Sequence, residues 1–218
     1  MLSIFPVNPE VISIHIPKTA GSSFHAILKS HYGWRLKHIY KHKDFHTLNT
    51  GKKFYANKPF VKAIHGHIKP HANWKKQYKN AKWVCWFRDP VERVISAYYH
   101  LEKTQGMGMK HEKRFGELKP NLEEFVRLED FKPVTRIYQA YFNKFNPEDL
   151  FFIGRTEHFK EDLNLFAKLI GSHSFQAVST NIGKNKIEVP ESTKATLKTH
   201  LSAEYEIYTT FLNQFYPS

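Results

Sequence analysis

Two short segments of this 218-residue chain hold residue types suited to gripping anions. The first is His15-Ile16-Pro17-Lys18-Thr19-Ala20-Gly21-Ser22-Ser23. It follows an alternating β-branched run, Val11 to Ile16, and precedes Phe24, Ile27 and Leu28, which share one helical face. A strand, a tight loop and a helix in that order point backbone N–H groups at a bound anion. Gly21 permits close backbone approach, Ser22 and Ser23 add hydroxyl donors and suit the helix N-cap, and Lys18 adds positive charge. The order excludes a Walker A loop, whose lysine follows its second glycine; Lys18 stands three residues before the loop's only glycine.

The second segment is Arg88-Asp89-Pro90, between an apolar run, Trp83 to Phe87, and a helical face of Val91, Val94, Ile95, Tyr98 and Leu101. Asp89 suits the N-cap and Pro90 the first helical position. An arginine fork matches phosphate oxygens, and Ser96, about two turns along the helix, can share the same phosphate. The competing reading pairs Arg88 with Asp89 or Glu92 and makes Ser96 a packing residue. Anion sites at the ends of two strands suit a nucleotide phosphorylated at both ends better than a nucleoside triphosphate.

The elements that must position these residues alternate. Val61 to Ile64 and Leu150 to Ile153 read as further buried strands. Helices are expected over 121–128 and 134–142, and over 159–170 with Gly171 as the stop. One or two closing helices carry Leu197, Leu201, Tyr205, Tyr208, Leu212 and Phe215. Residues 32–60, 103–120 and 173–189 read as irregular or mobile connections. Alternating strands and helices predict an α/β protein: a P-loop-like three-layer fold with a central parallel sheet flanked by helices, in a single domain over 1–218. Ligands of such folds sit at the carboxyl ends of the strands.

Lys and Arg number 33 against 20 Asp and Glu, a formal charge of +13, which favours anionic ligands such as nucleotides or acidic glycans. Cys85 is the only cysteine, so no intramolecular disulfide can form, which fits a reducing compartment. No stretch approaches the roughly 20 apolar residues of a membrane span, and the N-terminus lacks a signal-peptide pattern. A cytoplasmic location is the expectation; oligomeric state is not legible.

His-Ile-Pro-Lys-Thr-Ala-Gly-Ser-Ser-Phe at 15–24 and Phe-Arg-Asp-Pro-Val-Glu-Arg-Val-Ile-Ser-Ala-Tyr-Tyr at 87–99 together resemble the sulfotransferase superfamily, closest to the branch of the heparan sulfate 2-O- and 6-O-sulfotransferases. The donor of that superfamily is 3′-phosphoadenosine 5′-phosphosulfate (PAPS). The resemblance implies that Lys18, Thr19, Ala20, Gly21, Ser22 and Ser23 hold the 5′-phosphosulfate, and that Arg88 and Ser96 hold the 3′-phosphate. His65-Gly66-His67 is similar to the segment carrying the catalytic histidine of the uronyl 2-O-sulfotransferases. Phe151 to Phe159, with Gly154 and Glu157, resembles a structural strand of that branch. Gly183-Lys184-Asn185-Lys186 resembles a late loop that closes over the nucleotide, with Lys184 as a contact.

The chemistry implied is in-line displacement, aided by positioning and charge stabilisation. His67 is the expected general base and His65 the reserve candidate; Lys18 stabilises charge on the departing phosphate. The scheme requires no metal. The acceptor is a hydroxyl, expected on a saccharide or acidic glycan; no specific nucleic acid is implied. Two alternatives stand beside this reading. One is a P-loop-type nucleotide-dependent kinase, although the Walker A order is missing. The other is a non-enzymatic polyanion binder, which the charge and the many aromatic residues permit.

Overall fold

The computed structural model of the protein describes residues 9–40, 60–71, 75–76, 78–104, 108, 110–172, 175 and 188–217. These fall into two compact units, each discontinuous in sequence: Met1–Phe87 with Lys144–Ile182, and Arg88–Asn143 with Gly183–Ser218.

The first unit holds a five-stranded parallel sheet made of β1 (Val11–Ile14), β2 (Leu36–Ile39), β3 (Ala63–Gly66), β4 (Lys82–Phe87) and β5 (Phe152–Arg155). The strand order is β2-β3-β1-β4-β5. The chain fills one side of β1 with β2 and β3, then crosses to the other side for β4 and β5. The carboxyl end of β1 is therefore a topological switch point, where parallel α/β sheets bind ligands. Every residue of β1 and β3 is buried, as expected of central parallel strands. Helices α1 (Gly21–Tyr32) and α7 (Phe159–Leu169) pack on one face. There Phe24, Ile27 and Leu28 meet Val11, Ala63 and Val84, while Phe159, Leu163 and Phe166 belong to the same core as Trp86 and Phe152. The α/β class and the central parallel sheet flanked by helices agree with the sequence expectation.

The second unit contains α2 (Pro90–Thr104), α3 (Lys110–Leu118), α4 (Leu122–Arg127), α5 (Lys132–Thr135), α6 (Ile137–Phe142), α8 (Glu191–His200) and α9 (Ser202–Phe215). Its core gathers Val91, Val94, Ile95 and Leu101 with Phe115, Phe125, Phe131, Leu197 and Leu201. Asn121 caps α4 with a full capping box: its side chain accepts from the Glu124 N–H, and the Glu124 carboxylate accepts from the Asn121 N–H. Arg93 is fully buried, donating to the carbonyls of Val134 and Thr135 at 3.0 Å each.

Several expectations need correction. β2 lies in a stretch read as irregular, because one of its faces carries His38 rather than an apolar residue. Helix α3 lies in a stretch read as a mobile loop; a single buried aromatic, Phe115, anchors it, so no apolar periodicity announces it. The helix expected over 134–142 is two short helices broken at Arg136 (φ −104°, ψ 47°). β3 runs two residues later than expected and takes in His65. The N-cap of α1 is Ala20, in left-handed geometry, and neither Ser22 nor Ser23.

Candidate active site

The face of the sheet that α1 covers changes character along each strand. In β1 and its continuation that face reads Val11, Ser13, His15; in β3, Ala63, His65, His67; in β2, Leu36, His38, Tyr40. Side chains two apart share a face, so each strand is apolar where it enters the core and polar where it leaves. Register aligns the three strands. Ser13 pairs with His65, and His65 with His38. Pairing extends past the end of β1, where the His15 N–H donates to the Gly66 carbonyl at 2.7 Å.

The result is a stack of imidazoles. His15 lies on His67 with centroids 4.5 Å apart and planes 15° apart, and on His65 at 5.1 Å. His25, from α1, stacks on His38 at 3.9 Å and on His65 at 5.3 Å. Tyr40 meets His67 edge-on at 4.5 Å. Burial lowers every one of these imidazoles. His15 and His65 are held well below the usual range, by burial and then by neighbouring imidazoles, with Lys18 adding to the effect on His15. His38 is lowered to about 4, by burial and then by His25. Among the described residues, no three His, Cys, Asp or Glu side chains are arranged to hold a metal ion.

The two candidate bases are not equivalent. His65 is 1% exposed, its Nδ1 lies 2.8 Å from the Ser13 hydroxyl, and its Nε2 has no partner among the described residues. A substrate cannot reach it without rearrangement. His67 is only half-buried, and its Nδ1 lies 2.9 Å from the His15 carbonyl oxygen. A carbonyl only accepts, so Nδ1 carries the hydrogen and the lone pair of neutral His67 lies on Nε2. Burial lowers its pKa, and the bond to the carbonyl partly opposes that. His67 is therefore neutral at pH 7, as a base must be.

The loop between β1 and α1 is strained. Lys18 (φ 70°) and Ala20 (φ 60°) both occupy left-handed backbone, which costs a non-glycine residue about 1–2 kcal/mol each. Such turns aim successive N–H groups into one concavity. The Thr19 hydroxyl donates back to the Ile16 carbonyl at 2.8 Å and is buried, so what Thr19 offers a ligand is its backbone. No side chain caps α1 and no acidic residue lies in its first turn, so the N–H groups of Gly21, Ser22 and Ser23 face a site of positive potential. Gly21 answers to sterics: a Cβ there would lie 1.8 Å from Cδ2 of His15. The loop and His67 thus meet in one place, through His15.

The second elbow differs. The Asp89 carboxylate already caps α2, accepting from the N–H groups of Val91 (2.9 Å) and Glu92 (3.1 Å), and it also accepts from the Tyr205 hydroxyl at 2.7 Å. An anion here would have to be held by side chains rather than by the helix end. Arg88 is partly exposed and stands 3.8 Å from Glu92, which also meets Lys194 at 3.3 Å. The Tyr138 hydroxyl fixes the Arg88 backbone, accepting from its N–H at 2.9 Å and donating to its carbonyl at 2.6 Å. Ser96 is partly exposed on α2. Lys184, with the whole 183–186 loop, lies outside the described residues. Sequence reasoning singled out His65 and His67 but missed His15, His25, His38 and Tyr40 as their neighbours. The alternation along β2 and β3 is the signal that would have found His38 and Tyr40.

Residues 4–214 match a family model described as Sulfotransferase family. A solved structure, a sulfotransferase from Alicyclobacillus acidocaldarius, is 15% identical, with a TM-score of 0.48 over 95% of each chain. Comparison with curated proteins returns no match. The family match spans nearly the whole chain, including residues 15–23 and 88–96, and the chain belongs to the sulfotransferase family.

Proposed function

We propose that the chain transfers the sulfuryl group of PAPS to a hydroxyl acceptor, with His67 as general base and Lys18 as the charge-stabilising residue. The observation that carries this reading is the 2.9 Å bond from His67 Nδ1 to the His15 carbonyl. It turns the basic nitrogen away from the strand and joins the base to the residue that opens the anion loop. The loop fits a sulfated phosphate: its helix end is uncapped, its backbone is bent through two left-handed residues, and Lys18 belongs to it.

In the reaction the acceptor oxygen forms a new S–O bond as the bond from sulfur to the bridging 5′-phosphate oxygen breaks. The acceptor proton passes to His67 Nε2. Lys18 offsets the charge that gathers on the departing phosphate, and the N–H groups of Gly21, Ser22 and Ser23 hold it. Arg88 and Ser96 are read as the 3′-phosphate contacts on the resemblance of 87–99 alone. Lys184 belongs to the same reading. The +13 charge supports an anionic acceptor, and the resemblance to the heparan sulfate 2-O- and 6-O- branch favours a saccharide. Among the described residues no helix is long and apolar enough to cross a membrane. The lone cysteine, Cys85, is buried in β4, which suits the cytoplasm.

The test is a transfer assay with labelled PAPS against glycan, lipid and small-alcohol panels. His67→Ala should lower transfer at saturating PAPS by about 10²–10⁴-fold. Near-normal turnover in that variant would remove His67 from the chemistry, and label transfer from ATP but not PAPS would replace the reading with a kinase.

A further inference from the structure

The geometry points to His15 as a positioning residue: its ring locks the orientation of His67 and couples that orientation to the anion loop. This rests on the reading of His67 as the base. His15 touches His67 twice, through its carbonyl at 2.9 Å and through its ring, stacked at 4.5 Å and 15°. The same ring touches the loop. Its Cδ2 and Nε2 occupy the space where any Cβ at position 21 would stand, at 1.8 and 2.0 Å. A shift of the loop at Gly21 must therefore move the His15 ring, and with it the face on which His67 rests.

Packing holds this ring in place more than polar bonding does. His15 is 7% exposed and its Nδ1 has no hydrogen-bond partner among the described residues. Its other ring neighbours are His65 at 5.1 Å and Tyr40 at 5.3 Å. Burial first, and then the charge that His67, His38, His25 and Lys18 carry when protonated, holds the His15 imidazole below the usual range, so a neutral ring stacks on His67. The stack needs a flat ring rather than its nitrogens, so the phenylalanine variant separates shape from polarity.

The experiment uses His15→Ala, His15→Phe, Gly21→Ala and the His15→Ala/Gly21→Ala double variant. The first readout is the tautomer of His67, from its imidazole ¹⁵N signals, with and without adenosine 3′,5′-bisphosphate. The others are the affinity for adenosine 3′,5′-bisphosphate and the rate of its formation from PAPS with water as acceptor. The expectation for His15→Ala is a mixture of His67 tautomers and a rate lowered about 10–100-fold, with affinity within about threefold, because small misplacements of a reacting group cost rates of this order. His15→Phe should restore the single tautomer. Gly21→Ala should behave like His15→Ala, and the double variant should be no worse than Gly21→Ala alone, since removing the ring makes room for the new methyl. An unchanged tautomer and rate in His15→Ala, or additive losses in the double variant, overturns the inference. Loss of affinity in step with rate also overturns it, since His15 would then merely build the loop. If His67→Ala keeps its rate while His15→Ala still scrambles the tautomer, the base assignment fails and the positioning contact stands.

Discussion

Acid should unfold this protein through its buried imidazoles. His15 and His65 are buried in the first unit and held well below the ordinary histidine range, by burial first and then by the imidazoles around them. In the unfolded chain each regains a pKa of about 6.5. The folded state therefore declines protons that the unfolded state accepts. Stability is full above about pH 6.5 and is lost as pH falls from there toward the folded values. At pH 5.5 an unfolded histidine is about nine-tenths protonated, so these two residues together give a slope on the order of 2 kcal/mol per pH unit. Glu204 opposes them. Burial raises its carboxyl, so the folded state keeps a proton that the unfolded chain releases above about pH 4.5, which subtracts at most about 1 kcal/mol per unit. His25, His38, His67 and His111 are also lowered and act in the same direction as His15 and His65. The net slope between pH 5 and 6 should thus be at least about 1 kcal/mol per unit, positive with rising pH. Urea denaturation at half-unit intervals, followed by circular dichroism and by the fluorescence of Trp83 and Trp86, measures it. His65→Asn keeps a polar partner for Ser13 and should reduce the slope by about 1 kcal/mol per unit. A flat profile from pH 6.5 to 5, or greater stability on acidification, would refute the account of the stack.

Three further outcomes follow, the first two from the proposed function and the third from the geometry. Lys18→Ala should lower turnover more than donor affinity, because its charge matters most as the phosphate departs; equal loss of both, measured by single-turnover kinetics and calorimetry, would make it only a binding residue. Arg88→Ala should remove most of the preference for adenosine 3′,5′-bisphosphate over adenosine 5′-monophosphate, about 1.5–3 kcal/mol; a wild-type protein with no such preference would sink the 3′-phosphate assignment. Asp89→Ala should cost about 2–4 kcal/mol in thermal or urea unfolding, from a lost cap on α2 and a lost bond to Tyr205, while Tyr205→Phe should cost only about 1–2 kcal/mol.

The order of residues along the chain determined a good deal. Strand, loop and helix around Lys18, and strand, elbow and helix around Arg88, are set by local periodicity and by Pro and Gly placement, so both strand-to-helix connections were legible before any fold was known. The parallel sheet followed from the alternation of those units. What the sequence left open depends on which strands become neighbours. Ser13, His65 and His38 lie far apart in the chain, and only the β1-β3-β2 register brings them into one row. His25 joins them only because α1 covers that face. Gly21 read as an allowance for a phosphate; in the folded chain its missing Cβ is what lets the His15 ring reach between the loop and His67. The choice between His65 and His67 was likewise undecidable locally, since both sit two residues apart on one strand end. Burial separates them, sealing His65 under α1 and leaving His67 at the rim with its tautomer set by a carbonyl from the next strand. Short-range pattern fixes the elements and the loop between β1 and α1, whereas protonation state, access and mutual orientation arise from long-range pairing.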